Sequence, residues 1–166
     1  MVRQGAATDA RPATHDDVYR VLSLVSDPEM PGVSLVDLGM VETVSVTADG
    51  IVVTLMPTFV GCPALDIMRE NALARLTAAF SDRAGAVRVT YTNRTGWTSD
   101  RIRPTCHPAL RSRGIAPPPP SDTLPHCPWC GSAEVVSEGL FGPAACRSVY
   151  YCRACKNPFE GLKRLT

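Results

Sequence analysis

Two Cys-x-x-Cys pairs, Cys127-Pro-Trp-Cys130 and Cys152-Arg-Ala-Cys155, stand 21 residues apart near the C-terminus, and they restrict the fold more than any other feature. A CxxC bend puts two sulfurs on one side of a tight turn. Two such bends close a tetrahedral four-thiolate site with metal–sulfur bonds of roughly 2.3 Å. Gly131 suits the turn after the first pair, whereas Lys156 and Asn157 suit the matching place less well. Val135-Val136 and Val149-Tyr150-Tyr151 supply short strands between the pairs. The spacing predicts a zinc ribbon over residues 124–166, with Cys127, Cys130, Cys152 and Cys155 as ligands. A closed site of this kind contributes folding energy to a mini-domain too small for a large core, so its expected role is structural. Iron competes with zinc as occupant, because four thiolates also hold iron–sulfur clusters. Cys146 is left over, six residues before Cys152, and shares a face with it if the segment is a strand. It reads as a small core residue, or as an auxiliary thiol beside the ribbon.

Upstream, Pro117–Pro120 form a four-proline run. Such a run takes extended polyproline II geometry and acts as a semi-rigid spacer, so a linker is expected over residues 116–123. The segment before it reads as a small α/β domain over residues 14–115, preceded by a flexible tail over residues 1–13. Thr14-His-Asp-Asp17 is a capping box, and Val18, Val21, Leu22 and Val25 follow at helical spacing. Pro28 ends that helix near Ser26. Val44 and Val46 alternate with polar residues, Asp49-Gly50 signals a hairpin, and Ile51, Val53 and Leu55 return. Pro63 begins a second helix with the apolar stripe Leu65, Met68, Ala72, Leu76, Ala79 and Phe80, and Val87, Val89 and Tyr91 make a third strand. The order helix-strand-strand-helix-strand predicts an α+β fold, two layers thick, followed by the ribbon mini-domain.

Charge and compartment narrow the function. Seventeen basic and sixteen acidic residues leave a net charge of +1. The basic excess that phosphate neutralisation requires is missing, so no nucleic-acid partner is expected. No apolar run is long enough to cross a membrane, and no apolar h-region follows Met1. With an odd count of seven cysteines, these features point to metal or reactive thiols in a cytoplasmic protein with no membrane partner.

Cys62 is the best functional thiol outside the ribbon. Pro57-Thr58-Phe59-Val60-Gly61-Cys62-Pro63 joins a strand to a helix start. There the free amides and the helix dipole favour a thiolate and lower its pKa. Gly61 lets the backbone approach closely, and Thr58 and Asp37 are candidate neighbours, Asp37 as an acidic ligand or proton acceptor. The plain alternatives are a buried Cys62 acting as a small hydrophobe and Asp27 and Asp37 acting as turn or capping residues. Cys106-His107, flanked by prolines, reads as loop.

Asp27-Pro-Glu-Met-Pro-Gly-Val-Ser-Leu-Val-Asp37-Leu-Gly-Met-Val41 followed by Pro57-Thr-Phe-Val-Gly-Cys-Pro-Ala-Leu65 resembles the iron–sulfur assembly domain of SufT-type proteins. The tail from Cys127, through Phe141-Gly-Pro-Ala-Ala-Cys146-Arg to Phe159-Glu-Gly-Leu-Lys163, resembles the extension of the phenylacetate-degradation family PaaD, as do Gly96-Trp-Thr-Ser-Asp100 and Gly114-Ile-Ala-Pro-Pro118. The resemblance spans roughly residues 16–166, with Arg101 and Gly142-Pro-Ala departing from the pattern. It implies an accessory subunit of the multicomponent phenylacetyl-CoA epoxidase, assisting iron or iron–sulfur loading. Its implied partners are the oxygenase or reductase components, and its implied cargo is a transient iron ion or iron–sulfur cluster. The chain is then no enzyme on its own. No carboxylate-rich four-helix bundle is present to carry the di-iron site of such an oxygenase.

Two other classes compete. A zinc-ribbon adaptor for nucleic acid or protein is opposed by residues 121–166, which hold five cations and four anions. A thiol-dependent enzyme using Cys62 as nucleophile needs a positioned base, and His15, His107 and His126 lie in no catalytic motif.

Overall fold

The computed structural model describes residues 12–82, 85–94 and 96–166, so residues 1–11 of the expected tail lie outside the described part. Thr14 opens α1 (His15–Leu22) with both halves of the capping box. Asp17 N donates to Thr14 Oγ1 at 3.3 Å, and Thr14 N donates to Asp17 Oδ2 at 3.1 Å. The helix stops four residues short of Ser26, the expected end. Val25, which prolonged the apolar periodicity, is buried by another partner: its carbonyl accepts from Leu35 N at 2.9 Å. That bond continues a hairpin that no sequence pattern announced, β1 (Ser26–Asp27) against β2 (Met30–Ser34). Asp27 Oδ1 builds its turn by accepting from Glu29 N and Met30 N.

β3 (Val41–Thr47) and β4 (Gly50–Leu55) form the expected antiparallel hairpin. Its two-residue turn is Ala48-Asp49, with Gly50 already the first residue of the returning strand. α2 (Ala64–Phe80) then crosses over to β5 (Ala86–Tyr91), which runs parallel to β4. Pro63 sits at the cap of α2 rather than inside it. Ile51, Val53 and Leu55 are fully buried, in one cluster with Val18 and Leu22 of α1 and with Met68, Ala72, Leu76 and Phe80 of α2. Burying each large aliphatic side chain contributes about 1.5–3 kcal/mol. Tyr91 Oη donates to Leu65 O at 2.8 Å and pins the first turn of α2 to β5. This fixes the direction in which the Cys62 loop enters the helix.

After β5 come two 3-10 turns, Ser99–Arg101 and Pro104–Cys106, and the five-residue α3 (His107–Arg111), with Pro108 in its first turn. A four-stranded sheet follows. β6 (Ile115–Ala116) lies at one edge, next to β9 (Pro158–Leu162), then β8 (Arg147–Cys152), then β7 (Val135–Gly139). Phe159 and Tyr150 stack at 5.5 Å in its small core.

The proline run does not hold two bodies apart. β6, directly before it, is hydrogen-bonded into the ribbon sheet in register Ile115↔Glu160 and Ala116↔Gly161. Ile115 and Leu162 are buried in the same cluster as the core of the first half. Ser99 sews the seam with three bonds: Ser99 N to Leu165 O, Ser99 Oγ to Lys163 O, and Leu165 N to Ser99 Oγ. Arg147, nine-tenths buried, reaches Glu160 at 2.8 Å and the Glu29 carbonyl at 3.1 Å. β6 and β9 are too short to announce this pairing by any spacing or periodicity in the sequence.

Candidate functional site

The two CxxC bends fold alike. Gly131 N donates to Cys127 O and Lys156 N to Cys152 O, both at 2.9 Å. Cys127 N donates to Ser132 O, and Cys152 N to Asn157 O. Each bend needs a left-handed residue after its second cysteine. Gly131 takes φ +75° at no steric cost, and Lys156 takes φ +62° against the preference of a residue with a Cβ. The four sulfurs consequently lie within 4.8 Å of one another, with Cys127–Cys155 at 3.7 Å and Cys130–Cys152 at 3.6 Å. A tetrahedron with metal–sulfur bonds of ~2.3 Å has sulfur–sulfur edges of about 3.8 Å, so the donor set fits a tetrahedral thiophilic ion.

The electrostatics point the same way. Asn157 donors favour the Cys155 thiolate and bring it down to about 6. The backbone at Ser132 favours the Cys130 thiolate, but burial and the neighbouring sulfurs outweigh it and push this thiol up to about 12. Burial also pushes Cys127 up. One sulfur ionises readily and its neighbours then resist. A divalent cation removes that conflict and lets all four serve as thiolates.

Cys62 lies half-buried in the turn between β4 and α2, where Cys62 N donates to Phe59 O and Cys62 O accepts from Leu65 N. Gly61 is there for its backbone: its φ is +91°, and a Cβ would meet only open space. The expected close approach at Gly61 is therefore not found. Asp37 does not line the cavity beside Cys62. It closes a turn of its own, accepting from Ser34 N and Ser34 Oγ, while its backbone carbonyl accepts from Arg103 N. Its side chain takes the turn role that is the plain alternative to a metal ligand or proton acceptor.

Thr58 does accompany Cys62, in the wall of a small, partly open cavity of about 20 Å³ that also includes Asp27, Trp97, Cys146 and Lys163. Cys146 reads from the sequence as a small core residue or an auxiliary thiol, sharing a face with Cys152 if its segment is a strand. It precedes β8, so strand alternation does not apply to it, and it packs on the first half's core while Cys152 packs in the ribbon. Burial pushes the Cys146 thiol up, and charge on Cys62 and Asp27 acts on it in the same direction. Burial pushes the Asp27 carboxyl up as well, against the backbone donors Glu29 and Met30. Trp97 is held by donating Nε1–H to Leu38 O at 2.8 Å. The sequence offered turn chemistry for Asp27 and a family motif for Trp97, but no signal that either borders Cys62. Cys106 stays outside both sites, buried and donating its thiol to Arg103 O. None of His15, His107 and His126 lines the Cys62 cavity, so no imidazole base accompanies this thiol. No helix among the described residues is long and apolar enough to cross a membrane.

Two family descriptions match the chain: an iron-sulfur cluster assembly protein over residues 15–89, and the PaaD zinc beta ribbon domain over residues 119–163. An Escherichia coli (strain K12) protein that carries the name of a "Putative 1,2-phenylacetyl-CoA epoxidase" subunit is 33% identical over 167 residues, covering 96% of this chain and 98% of that protein. An "Fe-S protein maturation auxiliary factor" from Porphyromonas gingivalis (strain ATCC BAA-308 / W83) is 35% identical over 90 residues, covering 54% of this chain and 83% of that protein. Among solved structures, a domain of unknown function, DUF59, from Bacillus anthracis superposes with TM-score 0.52 at 26% identity, covering 57% of this chain and 89% of that one.

Proposed function

This chain belongs to the PaaD family, and we propose that it is an accessory maturation factor for a multicomponent phenylacetyl-CoA epoxidase, assisting the loading of iron or an iron–sulfur cluster into that complex through Cys62. The observation that carries the reading is the position of Cys62, half-buried in the strand-to-helix turn of the assembly domain and bordering a cavity whose wall the ribbon half completes. A fully buried structural thiol can neither take nor release a metal readily, whereas a partly exposed one at this position can. The relatives named for the epoxidase and for Fe-S maturation support the same reading.

Cys127, Cys130, Cys152 and Cys155 would hold zinc, which supplies no chemistry to the cargo and fixes the ribbon fold instead. A nucleophilic role for Cys62 is disfavoured by the lack of a histidine in its cavity wall.

The test is Cys62→Ser, which changes volume little. The variant should melt as the wild type does, yet leave the oxygenase complex assembled and short of iron when co-expressed. Full metal loading and full activity of the complex with Cys62→Ser would remove Cys62 from the mechanism.

A further inference from the structure

We infer that Cys146, carried by the ribbon half, is the second sulfur of the Cys62 site, and that with Asp27 the pair forms an open site for one thiophilic divalent metal ion. The inference rests on the metal-handling role proposed for Cys62 and deepens it.

The three donors come from three separate stretches of chain and meet at one place. Asp27 ends β1, Cys62 precedes α2, and Cys146 precedes β8. Each is fixed by its backbone. Asp27 Oδ1 accepts from Glu29 N at 2.7 Å and from Met30 N at 3.2 Å, and both hydrogen bonds described for the carboxylate fall on that oxygen. Oδ2 is left to another partner. Cys62 is set by the Phe59 and Leu65 bonds of its turn, and Cys146 O accepts from Lys163 N at 2.9 Å. Lys163, the cation in the wall, does not turn its charge on the donors. Its Nζ donates to Ala145 O at 2.7 Å and lies 4.0 Å above the Phe141 ring.

Size selects the occupant. A cavity of about 20 Å³ holds one water-sized particle, since roughly 10–15 Å³ is the minimum for a single water. A single ion fits that space. Donor type selects the ion: two sulfurs and one carboxylate oxygen suit borderline divalent metals such as Fe²⁺, Co²⁺ and Zn²⁺. Donor count sets its behaviour. Three protein ligands leave a coordination position open, as exchangeable and reactive sites do, whereas four close the site. Among the described residues the ribbon cysteines are the group drawn within 4.8 Å of one another. The cavity donors line one space without being drawn that close, so binding an ion there requires their side chains to turn toward it.

Cobalt tests this in the full chain. The protein is expressed with zinc, purified reduced without oxygen, and titrated with Co²⁺, which binds thiolate sites more weakly than zinc and so leaves the ribbon filled. Wild type should take up one cobalt per chain and show thiolate-to-cobalt charge-transfer absorption. Cys62→Ala and Cys146→Ala should each lose that absorption while keeping one zinc. In wild type, cobalt should also shield Cys62 and Cys146 together from iodoacetamide, a readout that needs no variant to fold. Unchanged cobalt absorption in Cys146→Ala, shielding of Cys62 alone, or no uptake by wild type would each overturn the composite site. Iron loading of the epoxidase complex separates the two ideas. A Cys62→Ser that fails to load the complex, beside a Cys146→Ala with wild-type cobalt uptake, keeps the proposed function and discards only the shared site.

Discussion

The ribbon sulfurs and the cavity thiols are one functional group in two opposite arrangements. Four sulfurs within 4.8 Å of one another, two of the pairs at 3.6 and 3.7 Å, form a closed set built by two local bends. Cys62 and Cys146 face a space of about 20 Å³ and reach it only through tertiary packing. The first arrangement suits a resident ion, and the site we propose at the second would take a visiting one. The difference lies in how many donors the backbone delivers and how tightly, since cysteine chemistry is common to both.

Removing the resident ion should have the largest effect. Cys152→Ala, at a fully buried ligand position, should release the metal and abolish amide-exchange protection across residues 127–162. Structural zinc supplies on the order of 10–16 kcal/mol of apparent binding energy in zinc-finger peptides. Because Leu162 and Ile115 belong to the main core, the first half should also melt earlier than in wild type, though still cooperatively. One metal per chain and an unchanged thermal transition in Cys152→Ala would show that the ribbon is not metal-dependent.

The seam comes next. Leu162 is 5% exposed and lies in the cluster with Leu22 and Leu110. Leu162→Ala should lower the stability of the main transition by about 2–5 kcal/mol, the range for a buried leucine whose cavity cannot collapse. If the two halves were independent, denaturant unfolding followed at Trp97 would not move. Cys62→Ser tests the other side of the comparison and should stay within about 1 kcal/mol of wild type by the same measurement, because the side chain is half-buried and the change nearly isosteric.

What could be read from the sequence follows the same division. The ribbon ligands, the Thr14 capping box, the β3–β4 hairpin and the stripe on α2 are short-range patterns, each set by a period or a spacing within about twenty residues. Asp27 was legible as a turn residue and Cys62 as a thiol before a helix. That Cys146 lines the same cavity depends on β6, two residues long, pairing with the five-residue β9 and on Ser99 binding Lys163 and Leu165 just after β9, contacts across dozens of residues. The proline run misled for a related reason. It marks where regular structure pauses, and carries no information about whether the strand before it pairs with the strand after it.

The smallest effect sharpens the comparison within the ribbon itself. The two bends are alike in hydrogen bonding and differ in the residue that takes the left-handed turn, Gly131 at φ +75° and Lys156 at φ +62°. A Cβ added at Gly131 would meet nothing within 4 Å, so Gly131→Ala changes backbone preference alone. It should destabilise the metal-loaded ribbon by about 1 kcal/mol, the usual penalty for an L-residue in this region. Lys156→Gly relieves the same penalty at the second bend, but it adds about 0.4–1 kcal/mol of chain entropy to the unfolded state. The net gain should therefore be a fraction of a kcal/mol. Chelator competition at fixed zinc reads both variants: Gly131→Ala should lose metal earlier than wild type and Lys156→Gly slightly later. Equal retention by all three proteins would mean that the metal bonds, rather than the turn conformations, set the geometry of both bends.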